Sequence, residues 1–221
     1  MSESVKVFMG GTFDPIHNGH LRTALEIQQW LGVKQVTLMP SKVPVHRKSP
    51  ERSGQQRLDM VRLAVADEQA LVADEREVIS ADASYTVLTL ESFRRELGPQ
   101  IPICMILGMY AYLSLPQWDR WWELLALCHI VVVKRPGWIY EPCEQMQRIS
   151  DEHETDDLDI VLQKPAGHVI FRELTPLGIS ATQIRELIRD GRSPRYLLPD
   201  AVWDYIKQNR LYNFEQHNEG K

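Results

Sequence analysis

Short apolar runs alternate with longer segments of mixed polarity along the chain. The runs VKVFM, VTLM, IPICMILG, HIVVV and HVIFREL have the length of strands, and the continuous apolar character of IPICMILG is typical of a strand buried on both faces. A parallel sheet needs such strands to be separated by crossover helices, and the intervening segments are long enough for them. The runs predict strands at 5–9, 36–39, 101–108, 129–133 and 168–174.

The segments between these runs show the 3.6-residue spacing of amphipathic helices. Asn18 stands where an N-cap is expected for the first helix, which Gly32 would end, and Ser84 and Gly98 frame a later helix in the same way. The predicted helices occupy 19–31, 53–65, 84–97, 179–191 and 198–209. The alternation predicts an α/β fold, namely a Rossmann-like open and mostly parallel sheet with helices on both faces and a small helical C-terminal part.

One segment interrupts this alternation. Residues 140–166 are acidic, poor in aromatic side chains and without a clear period, so we expect a surface insertion or loosely packed helices there. The polar end of the chain, 213–221, predicts a disordered tail. We therefore expect a single domain over 1–212.

Composition narrows the class of protein. The chain is 43% hydrophobic and 25% charged, as is usual for globular proteins, and it has neither a signal peptide nor an apolar run near the roughly 20 residues that span a bilayer. Cys104, Cys128 and Cys143 are too scattered for a disulfide framework. The net charge of −5 disfavours general nucleic-acid binding. We expect a cytoplasmic protein, a monomer or weak homo-oligomer, without membrane or nucleic-acid partners.

The stretch FMGGTFDPIHNGHLR, after the first predicted strand, has the composition of a ligand-binding loop. Gly10 and Gly11 let backbone N–H groups approach a ligand and can adopt positive φ, and Asp14-Pro15 is a turn signal. The free N–H groups at the following helix start favour an anion. His17 and His20 would stand at its mouth, and this combination favours a phosphate site over two incidental surface histidines.

Other interpretations of this loop fit less well. The motifs GxxxxGK[ST] and GxGxxG are both absent from it. Zinc would need at least a third protein ligand besides His17 and His20, and none lies nearby in the sequence.

A second motif, ISATQIR, opens a helix near the end of the chain. Ser180 and Gln183 have the spacing of a capping box, which explains both residues structurally. Thr182 and Arg185 share another face and would reach beyond the helix start, where a guanidinium can bind phosphate bidentately. Alone the motif is weak, because an arginine on a helix is usually just solvated.

Together, GGTFDPIHNGH and ISATQIR resemble the two signatures of the HxGH nucleotidylyltransferase superfamily, whose members join a nucleoside triphosphate to a phosphorylated acceptor and release pyrophosphate. The resemblance implies that His17, His20 and Arg185 are catalytic. It also implies Mg²⁺ bound to the ATP phosphates, without protein ligands for the metal. The ATP-binding residues that it implies are Gly10, Gly11, Thr12, Phe13, His17, His20, Lys134, Arg135, Ser180, Thr182 and Arg185.

Within this superfamily the chain resembles bacterial nicotinate-mononucleotide adenylyltransferases over nearly its full length. The resemblance lies in PSKVPVHR, SYTVLTLESFRREL, LPQWDRWWELL, IVVVKRPG and LLPDAVWDYI. It implies that ATP and nicotinate mononucleotide are the substrates of a step in NAD biosynthesis. The acceptor-binding residues that it implies are Thr12, His46, Tyr85, Thr86 and Trp118. We interpret Trp121 and Trp122 as core residues at helical spacing.

Two residues depart from the family pattern. Val45 stands where the second proline of the P-P-H loop is usual, and Tyr110 stands where the family usually has Asp. Tyrosine is larger and neutral at pH 7, so Tyr110 is a candidate specificity position. Two alternatives therefore stay open: a sibling enzyme with another acceptor or another triphosphate such as CTP, and a non-catalytic nucleotide sensor.

Overall fold

The computed structural model describes residues 5–42, 50–80, 84–134, 141–175 and 177–214. Three residues discussed above, Val45, His46 and Arg135, lie outside these ranges. In the described chain no helix combines the length and the apolar character that crossing a bilayer requires.

Six parallel strands form one sheet in the order β3-β2-β1-β4-β5-β6. Their bounds are β1 Lys6–Gly11, β2 Val36–Pro40, β3 Leu71–Ala73, β4 Ile103–Gly108, β5 His129–Lys134 and β6 Val169–Glu173. All five predicted strands are confirmed. The sequence-based prediction missed β3, a three-residue strand that pairs only with β2 at the sheet edge.

Helices cover both faces of the sheet, which confirms the predicted fold class. They are α1 Asn18–Leu31, α2 Gly54–Val65, α3 Arg76–Ile79, α4 Thr86–Leu97, α5 Met109–Leu113, α6 Leu124–Leu127, α7 Glu144–His153, α8 Leu158–Gln163, α9 Ala181–Arg189 and α10 Asp200–Gln208. Short 3₁₀ turns occupy Leu115–Gln117, Trp121–Glu123 and Leu211–Asn213.

The pleat of β1 separates two hydrophobic cores. Val7 and Met9 face a core shared with α1, α2, α9 and α10, whereas Phe8 faces a second core built with α4 to α7. The C-terminal helices α9 and α10 therefore pack on the same face of the sheet as α1 and α2. They form the small helical C-terminal part that the sequence predicts. A strand buried on both faces explains why these runs are continuously apolar.

Two predicted helix starts are wrong by one or two residues. The N-cap of α1 is His17, and Asn18 is the first helical residue, because its side-chain amide donates instead to the carbonyl of Tyr196. The N-cap of α4 is Tyr85, because the Ser84 hydroxyl accepts a hydrogen bond from the Lys42 N–H. In both cases a long-range contact takes the side chain that a local cap would use.

The acidic segment packs more closely than its composition suggests. It contains α7 and α8, and Met146 and Val161 are fully buried in the second and first cores respectively. The predicted tail also starts too early, since the Phe214 ring packs edge-on against Trp203 at a centroid distance of 5.3 Å. Residues 215–221 lie outside the described chain.

The interpretation of the adjacent tryptophans holds for one of them. Trp121 packs against the second core, but the Trp122 side chain is 66% exposed, so its assignment to the core is wrong. Because Trp121–Glu123 form a 3₁₀ turn, neighbouring residues point in different directions and only one of the pair can face inward.

Strand order reverses between β1 and β4. The chain runs from β1 through β2 to β3 on one side, and then returns to pair β4 with the other side of β1. Crossovers leave in opposite directions at this point, so a crevice opens beyond the carboxyl ends of the two strands. The functional site is therefore expected at this edge of the sheet.

Candidate active site

A cleft of about 790 Å³ lies beyond the carboxyl ends of β1, β4 and β5. The residues implied to bind ATP, apart from Arg135, converge on it from loops that are far apart in the sequence. Its lining includes Gly10, Gly11, Thr12, Phe13, His17, His20, Lys134, Ser180, Thr182 and Arg185. The N-termini of α1 and α9 both lie at this cleft, and helix N-termini favour anions.

The two glycines of the first loop have different roles, and neither role is a positive φ. Neither Gly10 nor Gly11 has a positive φ, whereas Phe13 does, at 48°. A Cβ on Gly11 would lie 2.8 Å from the Phe13 ring, so Gly11 makes room for that ring. A Cβ on Gly10 would meet nothing within 4 Å, so this position leaves the end of β1 open to the cleft.

The two histidines form a stacked pair. Their ring centroids are 3.6 Å apart with an interplanar angle of 23°, and the Phe13 ring meets His20 edge-on at 5.0 Å. A Cβ on Gly19 would lie 3.0 Å from Nδ1 of His17. The glycine between the histidines is therefore what allows the His17 ring to lie against this first turn of α1.

The environment of His20 favours the neutral imidazole when no ligand is bound. Burial, reinforced by the neighbouring His17, lowers the pKa of His20 well below its usual value. Its Nδ1 is buried without a hydrogen-bond partner in the described chain. An anion in the cleft would reverse this preference, because nearby negative charge stabilises the imidazolium.

Arg185 is held in place and is not simply solvated. Its guanidinium donates to the Asp14 carbonyl at 2.7 Å, to Oε1 of Glu51 at 3.0 Å and to Oγ1 of Thr182 at 3.3 Å. Its side chain is 19% exposed. The Ser180 hydroxyl accepts from the N–H of Gln183, which is one of the two hydrogen bonds of the predicted capping box, and α9 begins at the cleft.

Glu51 is a cleft residue that the sequence-based reasoning missed. Its carboxylate binds both Arg185 and Arg189. Burial alone would raise the pKa of Glu51, but the hydrogen bonds and charges of Arg189 and Arg185 lower it, so Glu51 is an anion. Its contacts span more than a hundred residues, and no local motif indicates them.

Arg57 is a second residue without a sequence signal. It is fully buried, and it donates to the carbonyl oxygens of Thr12 at 2.7 Å, Lys42 at 2.6 Å and Arg52 at 3.2 Å. Arg57 therefore ties the loop that follows β1 to the residues that come before and after 43–49. Only its burial in α2 reveals this role, because a helix of mixed polarity usually exposes its arginines.

The implied acceptor-binding residues do not all reach this cleft. Thr12 lines it, whereas Tyr85 and Trp118 pack against the second hydrophobic core and Thr86 is the first residue of α4. Tyr110 lines the cleft from α5 and is 73% exposed. Lys134 lines it at the end of β5, with Nζ 4.0 Å from the centre of the Phe171 ring.

Protein ligands for a metal are not clustered in the part of the chain that the structure describes: no group of three or more His, Cys, Asp or Glu side chains could hold an ion there. The two acidic residues of the cleft are already engaged. Asp14 accepts from Tyr212, and Glu51 binds arginines. A cation would fit this cleft only together with anionic ligand groups of its own.

Comparison with known proteins agrees with this geometry. A model of the cytidylyltransferase-like family matches residues 8–187, a span that contains both histidines and Arg185. The probable nicotinate-nucleotide adenylyltransferase of Hahella chejuensis is 50% identical, covering 93% of this chain and 94% of that protein. Its counterpart in Aeromonas salmonicida is 44% identical, covering 92% and 95% respectively.

The chain belongs to the nicotinate-nucleotide adenylyltransferase family. The nicotinic acid mononucleotide adenylyltransferase of Plasmodium falciparum, solved in complex with NaAD, shares the fold of this family member with a TM-score of 0.72. Sequence identity is 15%, and the match covers 96% of this chain and 99% of that one. The fold class implied by the resemblance is thus confirmed.

Proposed function

We propose that the protein transfers the adenylyl group of ATP to nicotinate mononucleotide, giving nicotinate adenine dinucleotide and pyrophosphate for NAD biosynthesis. One observation carries the phosphate chemistry: the HNGH turn and Arg185 line one cleft, near two helix N-termini. The acceptor is supported by the names of the relatives and by the stretches of sequence quoted above.

In this reaction an oxygen of the mononucleotide 5′-phosphate attacks the α-phosphorus of ATP, and the bond to the bridging oxygen of the pyrophosphate breaks. The nucleophile is already an anion and the leaving group is stable, so no strong general base is needed. Catalysis then consists mainly of alignment and electrostatic stabilisation. The cleft offers both, because its donors are fixed before the substrate arrives.

Two groups of cleft residues have separate tasks in this mechanism. His17 and the N–H groups of the first loop orient the triphosphate. His20 and Arg185 stabilise the charge on the α-phosphoryl oxygens and on the departing pyrophosphate. Because His20 is neutral in the free protein, it gains a proton as the phosphates bind and then acts as a cation.

Mg²⁺ would accompany ATP in this proposal. Phosphate oxygens and water would hold it, since Asp14 and Glu51 are engaged by other side chains. When bound, it would neutralise part of the charge on the β- and γ-phosphates. We place the reaction in the cytoplasm, where ATP and mononucleotides are available, and expect a monomer or a weak homo-oligomer.

The test is pyrophosphate release from ATP with a panel of mononucleotide acceptors. We expect release with nicotinate mononucleotide and a higher kcat/KM for it than for the nicotinamide form. Equal kcat/KM for the two would defeat the acceptor assignment, and preference for another acceptor or for CTP would identify a sibling enzyme. ATP binding without release in the presence of any acceptor would favour a nucleotide sensor.

A further inference from the structure

The C-terminal turn Leu211–Asn213 contacts the loop that follows β1. Tyr212 is fully buried, and its hydroxyl donates to Oδ1 of Asp14 at 2.7 Å across 198 residues of sequence. The Arg52 guanidinium lies 4.9 Å from the centre of its ring. The backbone of Tyr212 has a φ of 60°, a left-handed conformation that a non-glycine residue adopts at a cost.

Asp14 connects this hydroxyl to the cleft. Its Oδ2 accepts the backbone N–H of Glu51 at 2.7 Å, and its own carbonyl accepts from Arg185 at 2.7 Å. Asp14 is only 5% exposed, so water can replace a lost partner only with difficulty. Asp14 thus joins the first loop, the segment that begins at residue 50 and helix α9.

The path ends at the guanidinium of Arg185, which lines the cleft. Glu51, whose N–H Asp14 fixes, binds Nε of Arg185 with its carboxylate at 3.0 Å. Two of the acceptors that orient Arg185, the Asp14 carbonyl and the Glu51 carboxylate, therefore depend on where the Asp14 side chain lies. Removing a hydrogen-bond donor that fixes the Asp14 carboxylate would loosen both acceptors together.

We propose that Tyr212 is a positioning residue for adenylyl transfer: its hydroxyl fixes Asp14, so that Asp14 and Glu51 hold Arg185 in the orientation that receives the triphosphate. The proposal rests on the proposed function, because it assigns the effect to Arg185. Burial, together with Asp14, raises the pKa of Tyr212. The phenol therefore stays protonated and donates over the whole range in which the enzyme is assayed.

The chain offers a matched control for this hydroxyl. Tyr205, on α10, also donates to an aspartate, Oδ2 of Asp59 at 3.1 Å, but Asp59 lies on α2 outside the cleft lining. Tyr212→Phe and Tyr205→Phe each remove one phenolic oxygen from the C-terminal part of the fold. A purely structural role would affect thermal stability alone in both variants.

The experiment measures kcat, KM for ATP and the melting temperature of the two variants. We expect Tyr212→Phe to lower kcat about tenfold, the scale of losing one hydrogen bond to a charged group, while Tyr205→Phe stays within about twofold of the wild type. Unchanged turnover in Tyr212→Phe, or an equal fall in Tyr205→Phe, would overturn the proposal.

A double-mutant cycle tests the route through Arg185. In an Arg185→Ala background we expect Tyr212→Phe to have little further effect on kcat, whereas an independent role would reproduce the full tenfold loss and overturn the route. If the wild type releases no pyrophosphate, the proposed function fails separately. In that case the dissociation constant of ATP is measured for the same four proteins of the cycle. If the effects of Tyr212→Phe and Arg185→Ala on this constant are additive, Tyr212 is rejected as a positioning residue.

Discussion

Gly19 lies between His17 and His20 in the sequence, and a Cβ at this position would lie 3.0 Å from Nδ1 and 3.1 Å from Cε1 of His17. Such contacts are tighter than most that real Cβ atoms make, so the His17 ring would have to shift by a few tenths of an ångström. Alanine has a higher helix propensity than glycine by up to about 1 kcal/mol. Stability and activity should therefore respond to Gly19→Ala in opposite directions.

For Gly19→Ala we predict an unchanged or slightly higher melting temperature together with a fall of about tenfold in kcat/KM for ATP, the effect of misplacing one aligned group. Thermal unfolding and pyrophosphate release measure the two sides of the prediction. Retention of full kcat/KM would mean that the position of the His17 ring does not matter for turnover.

His20 provides the second residue-level prediction. Because we assign it to charge that develops in the transition state, His20→Ala should lower kcat by roughly 10²–10³ with a modest change in KM, the scale for losing one preorganised charge contact. Steady-state kinetics with saturating acceptor measures both constants. A variant with near-wild-type kcat would remove His20 from the chemistry, whatever its effect on KM.

At the scale of elements, the start of α9 links stability to ligand binding. The Ser180 hydroxyl caps this helix at the cleft, and the Asp157 carboxylate caps α8, away from the cleft, by accepting from the Asp159 N–H at 2.9 Å. Loss of either cap should cost about 1 kcal/mol of folding free energy. Only one of the two helix ends faces the proposed phosphate site.

We therefore predict that Ser180→Ala raises KM for ATP severalfold, because a frayed helix end presents its N–H groups less well, while Asp157→Ala leaves KM unchanged. Chemical denaturation checks that both variants lose similar stability. Equal KM values in the two variants would show that the N-terminus of α9 takes no part in binding.

The sequence predicted elements well wherever a strong hydrophobic period exists. Five strands and the helices α1, α2, α4, α9 and α10 follow from it, whereas β3, α3, α5, α6 and α8 carry too few residues to show a period. The ten residues of α7 lie in the acidic segment, and only Met146 and Ser150 among them are buried. Helix starts failed for a different reason. Asn18 and Ser84 are good caps by residue type, but Tyr196 and Lys42 claim their side chains through long-range contacts.

The residues of the candidate site divide in the same way, into those that a local motif predicts and those that depend on long-range contacts. His17, His20 and Arg185 could be predicted because each sits in a short motif, and the structure brings them to one cleft. Asp14 was predicted only as a turn residue, although its carboxylate connects Tyr212 to Glu51. Those connections join segments that lie far apart in the chain, so no local spacing reveals them.

At the scale of the whole molecule, the two ends of the sheet differ in character. The carboxyl ends of the strands open onto the cleft, whereas the other end is closed by polar contacts. There Arg94 donates to the carbonyl oxygens of Ile101 at 2.6 Å, Leu127 at 2.6 Å and Pro165 at 2.7 Å, tying α4 to the segments before β4, β5 and β6. This end anchors the fold and leaves the opposite end free to bind ligand.

His129, at the start of β5, belongs to this anchoring end. It is fully buried, with Nε2 2.8 Å from the Lys164 carbonyl and Nδ1 accepting from the His168 N–H at 3.2 Å. This pattern is satisfied by the neutral ring protonated on Nε2. Burial lowers the pKa of His129 to about 4, and the charges of His168, Arg94 and Lys164 act in the same direction, while the Lys164 carbonyl opposes them.

This histidine should make the folded protein sensitive to mild acid. Its pKa is about 4 in the folded state and about 6.5 in an unfolded chain, so between these values the unfolded state binds more protons. The free energy of unfolding should fall as the pH drops from about 6.5 to about 4, with about 2–3 kcal/mol of the loss due to His129. Above pH 7 this contribution is fully retained.

Urea denaturation of wild type and His129→Gln at pH 7 and pH 4.5 tests this prediction. The glutamine amide can still donate to the Lys164 carbonyl but cannot be protonated, so the variant should be less stable at pH 7 and lose less stability on acidification. His20 and His168, whose pKa values are also lowered, titrate in both proteins and cancel in the comparison. Parallel losses in the two proteins would show that acid acts through groups other than His129.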